Sequence, residues 1–346
     1  MEAVRPFTVL LRGLVCDALF SGRVRVPTPD MMSEVLIHCK MEDQGKVIIC
    51  GGLDATACNV AGHLIKMGRV RWSTSKTWYF NLVHHKIAAL KCGTVLVTGG
   101  VNLFEIEMPK GLVQCCRLSW HQKEDEEEVL TSTSDMHERR YHHAAVALHD
   151  GRVMVTGGLH DELTSASRSM EFYDPDTQLW TLSDTLLPIQ MWGHVTIALA
   201  NGLILICGGQ RDEEIIETCW LYDPHTDTFT ETGSMLTPRM RHSCVLLPDG
   251  RVMAIAGRTA MSRGTTVRYE IYDSCEFYDP MTGRWSPAPR LLMKCYDPVC
   301  FVLRERVVVL SSQWAGAAHY VFSTQKWTKL AGVPSATQGC ASAHFY

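Results

Sequence analysis

The chain has 346 residues, 46% of them hydrophobic and 20% charged, with a formal net charge of −4. That balance supplies a core for one large domain or two ordinary ones, and it excludes a basic, sequence-independent phosphate binder. No uninterrupted run of 18 apolar residues occurs, so no membrane-spanning helix is expected.

At the N-terminus, "FTVLLRG" (7–13) and "VCDALF" (15–20) read as strands, followed by "SGRV" (21–24). Arg12 and Asp17 interrupt the apolar stretch, which therefore is not read as a secretory signal. Next come apolar runs that each end in a glycine pair: "VIICGG" (47–52), "VLVTGG" (95–100), "VMVTGG" (153–158) and "ILICGG" (204–209). Two decayed copies follow, "VMAIAGR" (252–258) and "VVVLSSQ" (307–313). The pair positions start at 51, 99, 157, 208, 256 and 311. Spacings of 48 to 58 residues are those of propeller blades.

Each copy repeats the same local grammar. A glycine stands six residues before the pair (Gly45, Gly93, Gly151, Gly202, Gly250), with Glu305 in the sixth copy. Three of these form Asp-Gly or Asn-Gly, the dipeptides of two-residue hairpin turns. A histidine stands fourteen residues before the pair in four copies: His85, His143, His194 and His242. Downstream, Tyr173, Tyr222, Tyr278 and Tyr320 precede Trp180, Phe229, Trp285 and Trp327 by seven residues. Asp-Pro starts the intervening turn in three of these. Trp72 and Trp120 are expected in the same slot of the first two copies. Each unit reads as a four-stranded antiparallel meander.

An apolar strand ending in Gly-Gly, then a tyrosine, then a tryptophan at fixed spacing resembles the kelch repeat. The resemblance covers residues 32–330 in six copies and implies an all-β propeller. One domain is expected over residues 1–346. Seven blades are favoured, with 1–30 and 334–346 forming a closing blade that removes open sheet edges; six blades are the alternative. Gly51, Gly52, Gly99, Gly100, Gly157, Gly158, Gly208 and Gly209 are structural residues of the repeat, as are the Tyr and Trp positions above. The stretch 121–140, with its run of acids, reads as a solvated inter-blade loop.

The chemistry of the motifs is sparse. The glycine pairs belong to neither G-x-x-x-x-G-K-[ST] nor G-x-G-x-x-G, so a nucleotide loop is excluded. The 15 histidines include four on the repeat register, and "HERRYHH" lacks the spacing of H-E-x-x-H. No metal site, cofactor or catalytic residue is expected. Fourteen cysteines without any C-x-x-C read as reduced thiols, with Cys50 and Cys207 as small hydrophobes inside strands, in a cytoplasmic or nuclear protein.

The resemblance implies that loops after the glycine pairs and between blades gather on one face and bind peptides. By position these carry Asp54, Asn102, His160, Arg211 and Arg258 after the pairs, and Arg140, Trp192, Arg239 and Arg241 between blades. The fifth copy has a long loop with Arg258, Arg263 and Arg268, whose donor forks suit carboxylates. Expected partner contacts are Arg258, Arg263, Arg268, Arg241, Arg211 and Trp192. Arg239 shares an Arg-x-x-His pattern with Arg140 and is read as structural. The expected function is a non-catalytic adaptor for a protein or peptide with acidic residues, with no nucleic acid or membrane partner. The alternatives are a substrate-recognition subunit of a ubiquitin ligase, although 1–30 is too short for a BTB domain or F-box, and an enzyme of the galactose-oxidase-like or mutarotase kelch type.

Overall fold

Short, β-branched apolar runs punctuated by turn residues favour paired strands over helices, and the computed structural model contains strands alone among its described residues. These are 34–37, 46–51, 65–66 and most of 82–330; the gaps within that last span are 92–93, 103–109, 120–128, 162–165, 264–265, 304–305 and 312–315. Blade 1 comprises β1 (Glu34–Ile37), β2 (Lys46–Gly51) and β3 (Ile65–Lys66). A small pair, β4 (Leu82–Val83) with β7 (Val101–Asn102), flanks blade 2, which is β5 (Lys86–Ala89), β6 (Val95–Thr98), β8 (Cys115–Ser119) and β9 (Val129–Ser132). Blade 3 is β10 (Ala144–Ala147), β11 (Val153–Thr156), β12 (Met170–Asp174) and β13 (Leu179–Leu182).

Blade 4 is β14 (Val195–Ala198), β15 (Ile204–Cys207), β18 (Cys219–Asp223) and β19 (Thr228–Thr232); a hairpin, β16 (Gln210–Arg211) with β17 (Glu214–Ile215), interrupts it. Blade 5 is β20 (Ser243–Leu246), β21 (Val252–Ile255), β24 (Cys275–Asp279) and β25 (Arg284–Ala288). Its inserted hairpin is longer: β22 (Arg258–Arg263) with β23 (Thr266–Ile271). Blade 6 is β26 (Val299–Leu303), β27 (Arg306–Ser311), β28 (Gly316–Val321) and β29 (Lys326–Leu330). All pairings are antiparallel, as the meander expectation requires.

The inner strands β1, β5, β10, β14, β20 and β26 lie side by side in chain order, and β26 also lies beside β1. This closed circuit of inner strands is the relation that the six-blade alternative requires. The closing blade expected from 1–30 and 334–346 lies outside the described residues, as do Gly52, Asp54 and Trp72.

One correction concerns blade 2. The stretch 121–140 is not loop throughout: Val129–Ser132 is the outer strand of the blade. Leu118 pairs with Leu130 at the register where the later blades pair Tyr with Trp or Phe, and Trp120 lies outside the described residues. The acidic run lies outside the described residues.

The core is a set of seams between neighbouring sheets. Second strands are buried on both faces: Val153, Met154 and Val155, like Ile204, Leu205 and Ile206, are 0–1% exposed. One seam packs Val245, Met253 and Ile255 of blade 5 against Val307, Val309 and Trp327 of blade 6. The outer aromatic pairs close each seam. Tyr278 and Trp285 are directly opposite, with ring centres 5.1 Å apart. Trp285 Nε1 donates to the Gly233 carbonyl at 2.8 Å, and Tyr278 Oη lies 2.8 Å from Thr232 Oγ1, so this pair ties blade 5 to the end of blade 4.

Candidate axial mouth on the glycine-pair face

The glycine pairs end the second strands, and their geometry explains the register histidines. The first glycine of each described pair is left-handed (Gly99 φ +55°, Gly157 φ +57°, Gly208 φ +62°). At Gly157 a Cβ would collide with the Met191 carbonyl and approach His194 Cε1 to 2.9 Å. That close approach lets the histidine of the next blade reach back: His143 Nε2 lies 2.9 Å from Thr98 Oγ1, and His194 Nε2 lies 2.9 Å from Thr156 Oγ1. His143 and His194 are thus buried inter-blade latches.

Burial holds the latch histidines neutral. His194 is lowered to about 3 and His143 well below its ordinary value, in both cases chiefly by desolvation. Below about pH 6.5 the unfolded chain takes up protons at these histidines and the folded chain does not, so stability falls as pH falls. The slope expected from His194 alone is about 1.4 kcal/mol per pH unit between pH 6.5 and its folded value. Denaturant midpoints measured from pH 7.5 down to 5 check this; the variant His194→Gln should flatten the dependence.

A second layer of latches involves charge. Arg140 and Arg239, three residues before a register histidine, are each 0% exposed. Arg140 donates to the Gly157 carbonyl at 2.9 Å and to Glu171 Oε1 at 3.0 Å. Arg239 donates to the Ala256 carbonyl at 2.6 Å and to Glu276 Oε1 at 2.5 Å. The reading of Arg239 as structural agrees with this placement.

The residue just before each register position is also left-handed: His84 (φ +58°), His142 (+52°), Gly193 (+63°), Arg241 (+52°) and Asp297 (+47°). Their backbones form a hydrogen-bonded arc around the axis. His142 N donates to His84 O (3.2 Å), Gly193 N to His142 O (2.9 Å), Arg241 N to Gly193 O (2.8 Å) and Asp297 N to Arg241 O (2.7 Å). The side chains converge as well. His84 and His142 have ring centres 3.7 Å apart, and Trp192 stands 5.3 Å from His142. Arg241 Nε donates to Asp297 Oδ2 at 2.6 Å, and its guanidinium lies 4.9 Å from the Tyr296 ring centre.

Arg258 completes this group. Its backbone pairs with Met240, as Gln210 pairs with Trp192 in the blade before. Its guanidinium lies 4.2 Å from the centre of Tyr269 and 5.1 Å from that of Tyr296, a double cation–π arrangement. Burial, then Arg241, pushes His84 well below its usual value; for His142 the causes are burial, then His84. Lys86 is lowered to about 8 by burial. Among the described residues, neutral histidines, two arginines and one lysine surround one aspartate, so the charge at this mouth is net positive.

The six expected contact residues therefore separate. Trp192, Arg241 and Arg258 meet at the mouth. Arg241 is 4% exposed and bound to Asp297, so it shapes the mouth from within. Arg263 and Arg268 lie on the β22–β23 hairpin, where Arg263 pairs with Thr266 and Arg268 with Met261. Arg211 sits on the β16–β17 hairpin, 2.6 Å from Glu214. It borders a cleft of about 440 Å³ that also touches Pro238, Thr259 and Ala260. His160 is engaged with the Arg139 carbonyl at 2.7 Å. Sequence reading passed over His84, His142, Asp297 and Tyr296. Their common signal is position, one or two residues before the register histidine or its equivalent, Pro298.

The Kelch motif model matches residues 140–184 and 191–236, blades 3 and 4. Kelch-like protein 23 of Mus musculus is 24% identical over 186 residues, 51% of this chain and 32% of that protein. This chain thus matches about a third of the length of that relative. Among solved structures, "Structure of YjhT" superposes with a TM-score of 0.68 at 11% identity, covering 87% of this chain and 97% of that one. "Novel fungal alcohol oxidase with catalytic diversity among the AA5 family, in complex with copper" reaches 0.54 at 15% identity, covering 78% and 68%. At these identities the two structures speak to the fold alone. With its repeat period, its glycine-pair strands and its meander blades, the chain has the kelch-type propeller fold and carries the Kelch motif in blades 3 and 4.

Proposed function

We propose that this propeller is a non-catalytic protein-interaction module that receives an acidic segment or a chain-end carboxylate of its partner on the glycine-pair face. The observation that carries this reading is the fifth blade. Its second strand runs on into a long hairpin that starts at Arg258, stacked between two tyrosines at the axial mouth, and then bears Arg263 and Arg268. Arg258 is 6% exposed and adds its positive charge to the mouth from within, and Arg263 and Arg268 follow it on the hairpin. The kelch-like relative supports a protein partner over a small substrate. Eight described cysteines are free thiols, which fits a cytoplasmic or nuclear setting. Recognising substrates for a ubiquitin ligase is a special case of the same reading.

The test uses a displayed library of peptides varying in acidic content and free C-terminus, with binding read by fluorescence anisotropy. Acidic peptides are expected to bind and to weaken as salt rises. The variant Arg263→Glu/Arg268→Glu should lose at least tenfold in affinity. Equal binding by that variant, or selection of uncharged peptides, overturns the reading. Turnover of a primary alcohol by the purified protein would favour the enzyme alternative instead.

A further inference from the structure

The latch between blades 4 and 5 differs chemically from its neighbours. At the seam between blades 2 and 3 the three equivalent positions are Thr98, His143 and Ala145; between blades 3 and 4 they are Thr156, His194 and Thr196. Between blades 4 and 5 they are Cys207, His242 and Cys244. The histidine is constant, and both residues facing it are thiols only here. Sequence reading took Cys207 for a small hydrophobe; the fold gives it two soft neighbours.

The spacing of the donor atoms is specific. Cys207 Sγ lies 3.6 Å from His242 Nε2 and 3.7 Å from Cys244 Sγ, and all three donors lie within 4.8 Å of one another. A tetrahedral zinc ion has bonds of about 2.3 Å to sulfur and about 2.0 Å to nitrogen, so its S···S and S···N edges are about 3.8 and 3.5 Å. The two separations from Cys207 Sγ match those edges. A disulfide would need the sulfurs at about 2.05 Å. All three residues are 0–1% exposed. A third thiol, Cys219, is directly opposite Cys207 on β18 and interacts with it.

We propose that Cys207, His242 and Cys244 form a buried zinc site that staples blade 4 to blade 5. Binding Zn²⁺ displaces one proton from each thiol, and His242 donates its Nε2 lone pair while keeping its proton on Nδ1. Two thiolates with a divalent cation leave no net charge, so the centre avoids the large cost of an isolated buried ion. A monovalent copper ion on the same ligands would leave a buried negative charge, which is why zinc is assigned. Because the ligands come from two blades, loading belongs to folding rather than to a later encounter. The staple also locks the strand that follows Arg241, on the blade that carries the arginine hairpin.

Zinc content is measured by inductively coupled plasma mass spectrometry on full-length protein purified without chelator, and the protein is separately refolded with Co²⁺. One zinc per chain and a thiolate-to-cobalt charge-transfer band in the near ultraviolet are expected. The variant Cys207→Thr/Cys244→Ala installs the residues of the blade 2–3 seam and keeps the Thr–His hydrogen bond. It should fold, hold no zinc, and lose the fall in thermal midpoint that a strong chelator causes in the parent. Absence of both zinc and the cobalt band in the parent overturns the proposal, as does stoichiometric copper, a Cys207–Cys244 disulfide, or full zinc content in the variant. The cobalt spectrum of the parent stands even if the variant fails to fold. None of these readouts involves a peptide, so failure here leaves the docking face untouched.

Discussion

Replacing Arg239 by alanine is expected to lower unfolding stability by about 3–5 kcal/mol, because it strands Glu276 as an uncompensated buried carboxylate. The guanidinium also holds the Ala256 carbonyl and the Ser274 carbonyl, at 2.6 and 3.0 Å, so backbone acceptors lose their donor too. The chain supplies its own control. At the equivalent positions blade 4 carries Met191 and Trp220, packed in one apolar cluster, and blade 6 carries Cys295 and Ala318, likewise buried together. Blades 3 and 5 use the ion pair where blades 4 and 6 use an apolar pair. The double variant Arg239→Met/Glu276→Trp should therefore recover at least half of what Arg239→Ala loses, since a well-packed apolar pair often matches a buried ion pair. Urea unfolding of the three proteins decides it; a double variant no better than the single one would mean that Arg239 acts mainly through the Ala256 and Ser274 carbonyls.

Gly208→Ala and Ala256→Gly should move stability in opposite directions. Gly208 has φ +62°, and a Cβ there meets the Arg239 carbonyl oxygen, with Met235 Cε at 2.7 Å and His242 Cε1 at 2.9 Å. The left-handed backbone alone costs a residue with a Cβ about 1–2 kcal/mol, and the collisions add to it, so a loss above about 2 kcal/mol is expected. Ala256 is the first-glycine slot of blade 5. It keeps the same conformation, φ +57°, and its amide still bonds Ser274 O at 3.1 Å, as Gly208 N bonds Thr218 O at 3.2 Å. Ala256→Gly removes a strained Cβ and should gain up to about 1 kcal/mol after the entropy cost of glycine. Equal thermal midpoints for Ala256→Gly and the parent would show that blade 5 has relaxed around its alanine.

The loss of the glycine pair in blade 5 therefore does not mark a change of backbone. "IAGR" keeps the shape of "VTGG" at the expense of strain, and the departure that matters follows it: the hairpin from Arg258 to Ile271 replaces the two-residue excursions of β16 and β17. That blade carries the arginines and two of the three residues of the cysteine–histidine cluster.

Repeat period, strand order and the roles of the glycine pairs and aromatics were legible in the chain, because each depends on contacts within a blade or between consecutive blades at fixed offset. Blade 2 shows where that rule stops: the strand pairing sets Leu130 opposite Leu118, a register that sequence spacing could not reveal across an insertion. The candidate face was half legible. Arg258, Arg263 and Arg268 stood out by composition, whereas Arg241 read as a contact until its pairing with Asp297, 56 residues later, turned it inward.

By itself, then, the sequence determined a kelch propeller, since hydrophobic alternation and turn chemistry are local and repeat once per blade. Only the tertiary structure decided what meets across the seams and at the axis. Glu171 with Arg140, Asp297 with Arg241, and Cys207 with His242 and Cys244 are joined by closure of the ring, which places residues 31 to 56 positions apart within bonding distance. Their chemistry depends on burial that no single repeat can provide.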